Sequence, residues 1–139
     1  MMFHRQRVLV GCALGLLLLV VIGVGGWSMV QVPPSELLVP GAIDIQVEAR
    51  GFGEQQITYR VPGPRYAWYA TLASNMEASG WSIQVSSRSG LGNTPEIYWR
   101  ISPLFFVYVS EQATVQGGPN IVGITVYRSI IVPGGWYLP

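Results

Sequence analysis

The stretch that most constrains this chain is Val8 to Val30, VLVGCALGLLLLVVIGVGGWSMV, which contains no charged residue. As a helix it reaches roughly 35 Å at about 1.5 Å per residue, enough to cross a hydrocarbon core of about 30 Å. Arg5 and Arg7 precede it, and the first acid after it is Glu36. That excess of Arg predicts an N-terminus in the cytoplasm and a domain on the outer side of the cytoplasmic membrane. A cleaved signal peptide shares the basic start, but its apolar region usually runs about 7–15 residues, shorter than this one. Lipidation at Cys12 is disfavoured because most of the apolar run follows that cysteine. The expected layout is a basic tail at 1–7, a single membrane-spanning helix at 8–30, a proline-containing stalk at 31–40 and an outer domain at 41–139.

The helix carries a pattern of its own. Gly11 and Gly15 form a small-xxx-small pair, and Gly23 continues the four-residue series. Small residues let a second helix approach closely in lipid, so these three are the candidate helix-packing face. Trp27 falls near the outer end, where an amphipathic ring suits the interface.

Beyond the helix, six Arg face seven acids, one net negative charge, and the chain has no Lys. A nucleic-acid interface wants a basic face, so none is expected. Schiff-base and phosphate-loop lysines are excluded. Cys12, the single cysteine, lies in the apolar run, so no internal disulfide can form. The outer domain must hold itself together by its core, which is feasible at about 100 residues.

Periodicity supplies the elements. Ile43, Ile45, Val47 and Ala49 alternate with polar residues, predicting a strand with those four inward. A turn at 51–53 leads to a second strand with Ile57, Tyr59 and Val61 inward. Pro62-Gly63-Pro64 opens a helix running to about Ser79. Tyr69, Leu72 and Met76 form its apolar stripe, Gly80 is a left-handed stop, and Trp81 is placed to fold back onto Met76. These four are read as structural core. Strands are expected at 81–86, 97–101, 104–109 with a kinked continuation to Val115, and 121–127. The tail ends in Trp136-Tyr137-Leu138, a candidate partner or membrane contact. The predicted fold is α+β, a two-layer ββαβββ sandwich of one helix on an antiparallel sheet of five to six strands.

Pro40-Gly41-Ala42, Tyr59 and Trp68-Tyr69-x-x-Leu72-x-x-x-Met76-x-x-x-Gly80-Trp81 resemble a loosely defined class of small, membrane-anchored extracytoplasmic bacterial domains. The resemblance covers residues 38–86. It implies the fold and the location and carries over no catalytic residue.

The inventory for chemistry is thin. The outer domain has no His and no Cys and only one Asp, so no metal and no cofactor is expected. Its serines have no His or Lys to activate them. Asp44 and Glu48 read as a solvated face, and Arg60, Arg65 and Arg100 as surface charge. The expected function is therefore non-catalytic: an accessory subunit of a membrane complex, in contact with the bilayer, neighbouring helices and an outer subunit. Energy-transducing complexes fit by analogy, because they often carry small single-span subunits. The alternative is a tethered module binding a ligand or envelope polymer through Tyr98, Trp99 and the 87–96 loop.

Overall fold

The computed structural model describes residues 2–29, 32–85, 95–105, 107–134 and 136–138. Helix α1 runs from Met2 to Met29, about 42 Å at the usual rise. Its Leu9–Gly26 segment is long and apolar enough to cross a membrane. A short 3-10 turn follows at Ser35–Leu37. Then come β1 (Ile43–Gly51), β2 (Glu54–Arg60), α2 (Arg65–Ala78), β3 (Ser82–Val85), β4 (Glu96–Leu104), β5 (Val107–Gly117), β6 (Ile121–Val132) and β7 (Trp136–Leu138).

The strands form one antiparallel sheet in the order β1-β2-β6-β5-β4-β3. Strand β7 pairs with Ile130–Val132 of β6, beyond the part of β6 that pairs with β2. The α+β class and the helix-on-sheet packing agree with the sequence. The described strands number seven rather than five to six.

One face of the sheet is buried. Its inward residues are Ile57 and Tyr59 of β2, Tyr98 of β4, Ala113 and Val115 of β5, and Val122, Ile124 and Val126 of β6. Helix α2 covers them with Trp68, Leu72 and Met76, and Tyr69 packs at the margin. The helix stops as its sequence directs. Gly80 has φ +82°, its N–H reaches Glu77 O at 3.0 Å, and Trp81 N–H reaches Met76 O at 3.0 Å. This is the Schellman arrangement, and it delivers the Trp81 ring into the core. Pro64 caps α2 rather than starting it, one residue from the expected position.

Three expectations need correction. In β1 the alternation is broken at Asp44, which sits at φ +54° inside a register shift between Ile43 and Gln46. The bulge turns Ile43 to pair with outward Arg60, and Ile43 and Ile45 are exposed. β1 is an edge strand that α2 does not reach, and only Val47 touches the core.

The segment 31–40 is not a free stalk in its described part. Leu37 and Val39 are buried in the core, Tyr59 Oη donates to Leu37 O at 2.9 Å, and Asn75 Nδ2 donates to Leu38 O at 3.2 Å. The prolines supply stiffness, but Leu37 and Val39 have apolar surface that the sheet can cover.

The run after Pro103 is not kinked. Pro103 sits within β4, and the turn comes at Phe105, φ +55°. From Val107, β5 alternates without interruption to Gly117.

A second apolar cluster lies on the same sheet face, farther along. Val107 and Val109 of β5 and Ile130 of β6 pack with Val24 of α1, flanked by Leu17, Val20, Val21, Leu104 and Val132. So α1 and α2 lie side by side on one face. At the β1–β2 turn, Phe52 presses onto α1 at Gly25, where an added Cβ would overlap the ring.

Candidate functional site

Between the two apolar clusters a row of charge crosses the buried face. Glu111 is inward on β5, between Val109 and Ala113, and Arg128 is inward on β6, between Val126 and Ile130. Arg128 Nε donates to Glu111 Oε1 at 2.9 Å. Arg100 of β4 donates to Glu111 Oε2 through Nε at 2.8 Å and Nη2 at 2.5 Å. Arg128 Nη1 also reaches Gln55 Oε1 at 3.5 Å, and Arg100 Nη1 reaches Glu36 Oε1 at 3.4 Å.

Arg100 does more than balance charge. Its Nη1 donates to Ser79 O at the C-terminus of α2, where a cation offsets the exposed carbonyls. Its guanidinium carbon lies 4.6 Å from the centre of the Trp81 ring. The row therefore ties the Glu36 turn, the end of α2 and four strands together. Two guanidinium groups face two carboxylates, so it is neutral as a set. That is the form in which charge is tolerated inside a protein.

On the α1 side of this row is a groove of about 780 Å³. Leu16, Leu19, Val20 and Val24 of α1 form one wall, and Leu104 and Val109 of the β4–β5 hairpin form the other. Arg100 and Glu111 close its inner end.

A separate polar cluster lies at the far end of the sheet. Glu96 is buried, and its Oε2 accepts from Tyr69 Oη and, at 3.3 Å, from Tyr98 Oη. The two hydroxyls lie 2.8 Å apart. Burial pushes the Glu96 carboxyl above its usual value, while the Tyr98 bond and the charge of Arg65 pull the other way. Burial likewise raises the phenols of Tyr59 and Tyr98.

The other face of the sheet is open. Trp99 on β4, Gln112 on β5 and Tyr127 on β6 stand directly opposite one another in a row. Ile101 and Tyr108 continue this face toward the β4–β5 turn, and Trp99, Ile101, Tyr108 and Tyr127 are each 41–46% exposed.

The residues singled out in the sequence are distributed as follows. Tyr69, Leu72, Met76 and Trp81 meet in the core around α2. Around Gly11 and Gly15 there is open space, and Gly23 lines the groove. The glycine on which the domain presses is Gly25. The side chains of Trp27, Trp136, Tyr137 and Leu138 lie outside the described residues, although the backbone of the last three forms β7. Tyr98 and Trp99 cannot act together, because they project from opposite faces of β4. Most of the 87–96 loop lies outside the described residues. Arg60 pairs with Asp44 at 3.3 Å on the surface.

Sequence reasoning missed Glu36, Gln55, Glu96, Glu111 and Arg128. The available signal was phase. Gln55, Glu111 and Arg128 each occupy the inward parity of a strand whose other inward residues are apolar.

Among the described residues no three His, Cys, Asp or Glu side chains are grouped as metal ligands would be. No family model, curated protein or solved structure matches the chain.

Proposed function

We propose that the protein is a non-catalytic accessory subunit, held in the cytoplasmic membrane by α1 and docked to an outer subunit through its open sheet face. The reading rests on the Trp99 and Tyr127 surface, on the open face of the sheet above its charge-free end. An antiparallel sheet with one solvated face normally carries polar residues there. Here β4 and β6 present the large rings of Trp99 and Tyr127 on either side of Gln112, and such exposed apolar side chains mark interfaces. Aromatic residues are favoured in interface cores because they bring much area at little entropic cost. The internal pairing of Glu36, Arg100, Glu111 and Arg128 supports a structural role for the charges behind the sheet.

The deciding experiment places a photo-crosslinking amino acid at position 127, with a control at Glu77 on the outer side of α2. The tagged full chain is irradiated in native membranes and purified in mild detergent. A stoichiometric partner crosslinked from 127 and not from 77 is the expected result. A protein that runs alone and crosslinks to nothing from 127 rejects the subunit reading. The tethered ligand-binding module then takes its place.

A further inference from the structure

We infer that the domain has a second membrane contact besides α1. The end of the sheet that carries the β4–β5 and β6–β7 turns enters the outer leaflet beside the helix. Lipid acyl chains then fill the groove between α1 and the β4–β5 hairpin. This rests on the reading of α1 as a membrane anchor.

Charge is the first observation. Past the row formed by Arg100, Glu111 and Arg128, the sequence has no Asp, Glu, Lys, Arg or His: 101–110 reads ISPLFFVYVS and 129–139 reads SIIVPGGWYLP. The neighbouring segment 8–35 is also uncharged. A whole end of the domain is thus free of charge, and the Arg–Glu row marks its boundary. From Arg100 to Leu104 this end is about 13 Å tall at about 3.3 Å per residue, close to the thickness of one hydrocarbon leaflet.

Exposure is the second. Phe105 sits at the tip of the β4–β5 hairpin, 91% exposed. Its backbone is at φ +55°, an uncommon region for a bulky side chain. Leu9, Leu14, Leu16 and Leu19 of α1 are also exposed, so helix and hairpin form one continuous apolar surface lining a common groove.

Length is the third. The sheet end lies against Leu17 to Val24 of α1. The uncharged helix beyond it, Val8 to Leu16, reaches only about 14 Å, against a hydrocarbon thickness of about 30 Å. The remainder must come from the part of α1 that lies beside the sheet, so the sheet end enters the leaflet with it. Within this end β5 is paired on both sides, by β4 and by β6, which leaves the outer edge of β4 at 101–104 as an open edge. Pro103 brings no N–H to the outer edge of β4.

The test uses the full chain with Cys12→Ser, so that single cysteines can carry a nitroxide. Three positions are labelled in separate proteins: Leu14→Cys on the span, Phe105→Cys at the tip, and Asn120→Cys at the opposite end of the sheet. Each is reconstituted in vesicles of equal parts phosphatidylcholine and phosphatidylglycerol. Collision with oxygen and with a water-soluble nickel chelate is then measured. The proposal expects position 105 to resemble 14, with nickel collisions about fivefold or more below those at 120, as for a site behind the apolar barrier. If 14 is lipid-like and 105 behaves like 120, the sheet end stays in water and the inference is wrong while the anchor stands. Shielding of 105 from both reagents means a protein covers the tip, and lipid is not the occupant. If 14 itself collides freely with nickel, the anchor reading fails and takes this inference with it.

Discussion

Glu111 and Arg128, directly opposite each other on β5 and β6, form an ion pair at 2.9 Å with side chains 3% and 1% exposed. Each interrupts a strand face that is otherwise apolar. Their pairing separates the core under α2 from the cluster under α1. Both guanidinium groups share Glu111: removing it takes the carboxylate from Arg128 and from Arg100, whereas removing Arg128 leaves Glu111 held by Arg100. Glu111→Gln should destabilise the domain by about 3–5 kcal/mol, the usual range for breaking a buried pair, and Arg128→Met by less, because Arg100 still holds Glu111. Replacing the two together by apolar residues should cost less than Glu111→Gln alone, since Arg128 is then not left without its carboxylate and Arg100 keeps Glu36, Ser79 O and the Trp81 ring. Denaturant unfolding of the detergent-solubilised chain measures this. Single variants within about half a kcal/mol of wild type would mean that the pair is solvated.

The seam of α2 makes a second, independent prediction. Leu72 and Met76 are fully buried against β2, β4, β5 and β6. Leu72→Ala or Met76→Ala should cost about 2–5 kcal/mol, through lost transfer energy and the cavity left behind. The two sites are one helical turn apart, so the double variant should depart from the sum of the singles. Unfolding midpoints of the two single variants and the double variant test both statements.

These two regions were not equally legible in the sequence. The α2 seam could be read because helical spacing, a following Gly80 and a Trp81 able to fold back all pointed to one structure, and local geometry suffices for that. The charge row could not. Glu111 and Arg128 look like surface residues until β5 and β6 are known to be adjacent, buried on one face and in register. That information is non-local. The β1 error was local but invisible: a single bulge at Asp44 reverses which residues face inward, because a strand's side-chain period is two. The docking of Leu37 was hidden for a third reason. Proline fixes the backbone of Pro33-Pro34 but does not say whether the leucine after it finds a pocket.

Glu96 supplies a pH dependence. Burial raises its carboxyl in the folded protein above the usual value near 4.5. The folded state therefore holds this proton more tightly than the unfolded chain does. As pH rises past the unfolded value, the unfolded chain releases the proton first and folding loses stability. The loss is complete once the pH exceeds the raised, folded value. Glu96→Gln removes the ionisation and keeps a side chain that the Tyr69 and Tyr98 hydroxyls can still bond. The variant should lose this part of the pH dependence and be at least as stable as wild type at neutral pH. Thermal midpoints from pH 4 to 8 decide it. Identical slopes in the two proteins would show that Glu96 is not strained by burial.

Gly15 and Gly25 lie on the same helix but should fail in different ways. Around Gly15 there is open space, and a leucine there fits without disturbing the domain. Gly25 touches Phe52, and even one added carbon would overlap the ring. Phe52 is the tip of the β1–β2 turn, and its neighbour Gly53 is locked to β6: Arg128 N–H donates to Gly53 O at 2.7 Å. The tip therefore has little freedom to give way. Gly25→Leu should separate α1 from the sheet and open the segment at 32–34 to protease, leaving the apolar span of α1 unchanged. Gly15→Leu should leave the protease pattern unchanged. In the proposed subunit it should block close approach of a neighbouring helix, where small residues govern packing. The readouts are limited proteolysis of membranes and native-gel migration of solubilised complexes, each applied to both variants. The expected pattern is crossed: Gly25→Leu alters cleavage, and Gly15→Leu alters comigration. If Gly15→Leu still comigrates with the same partners in the same amount, the Gly11–Gly15 side is not the docking surface. If Gly25→Leu leaves cleavage untouched, α1 is not held on the domain by Phe52.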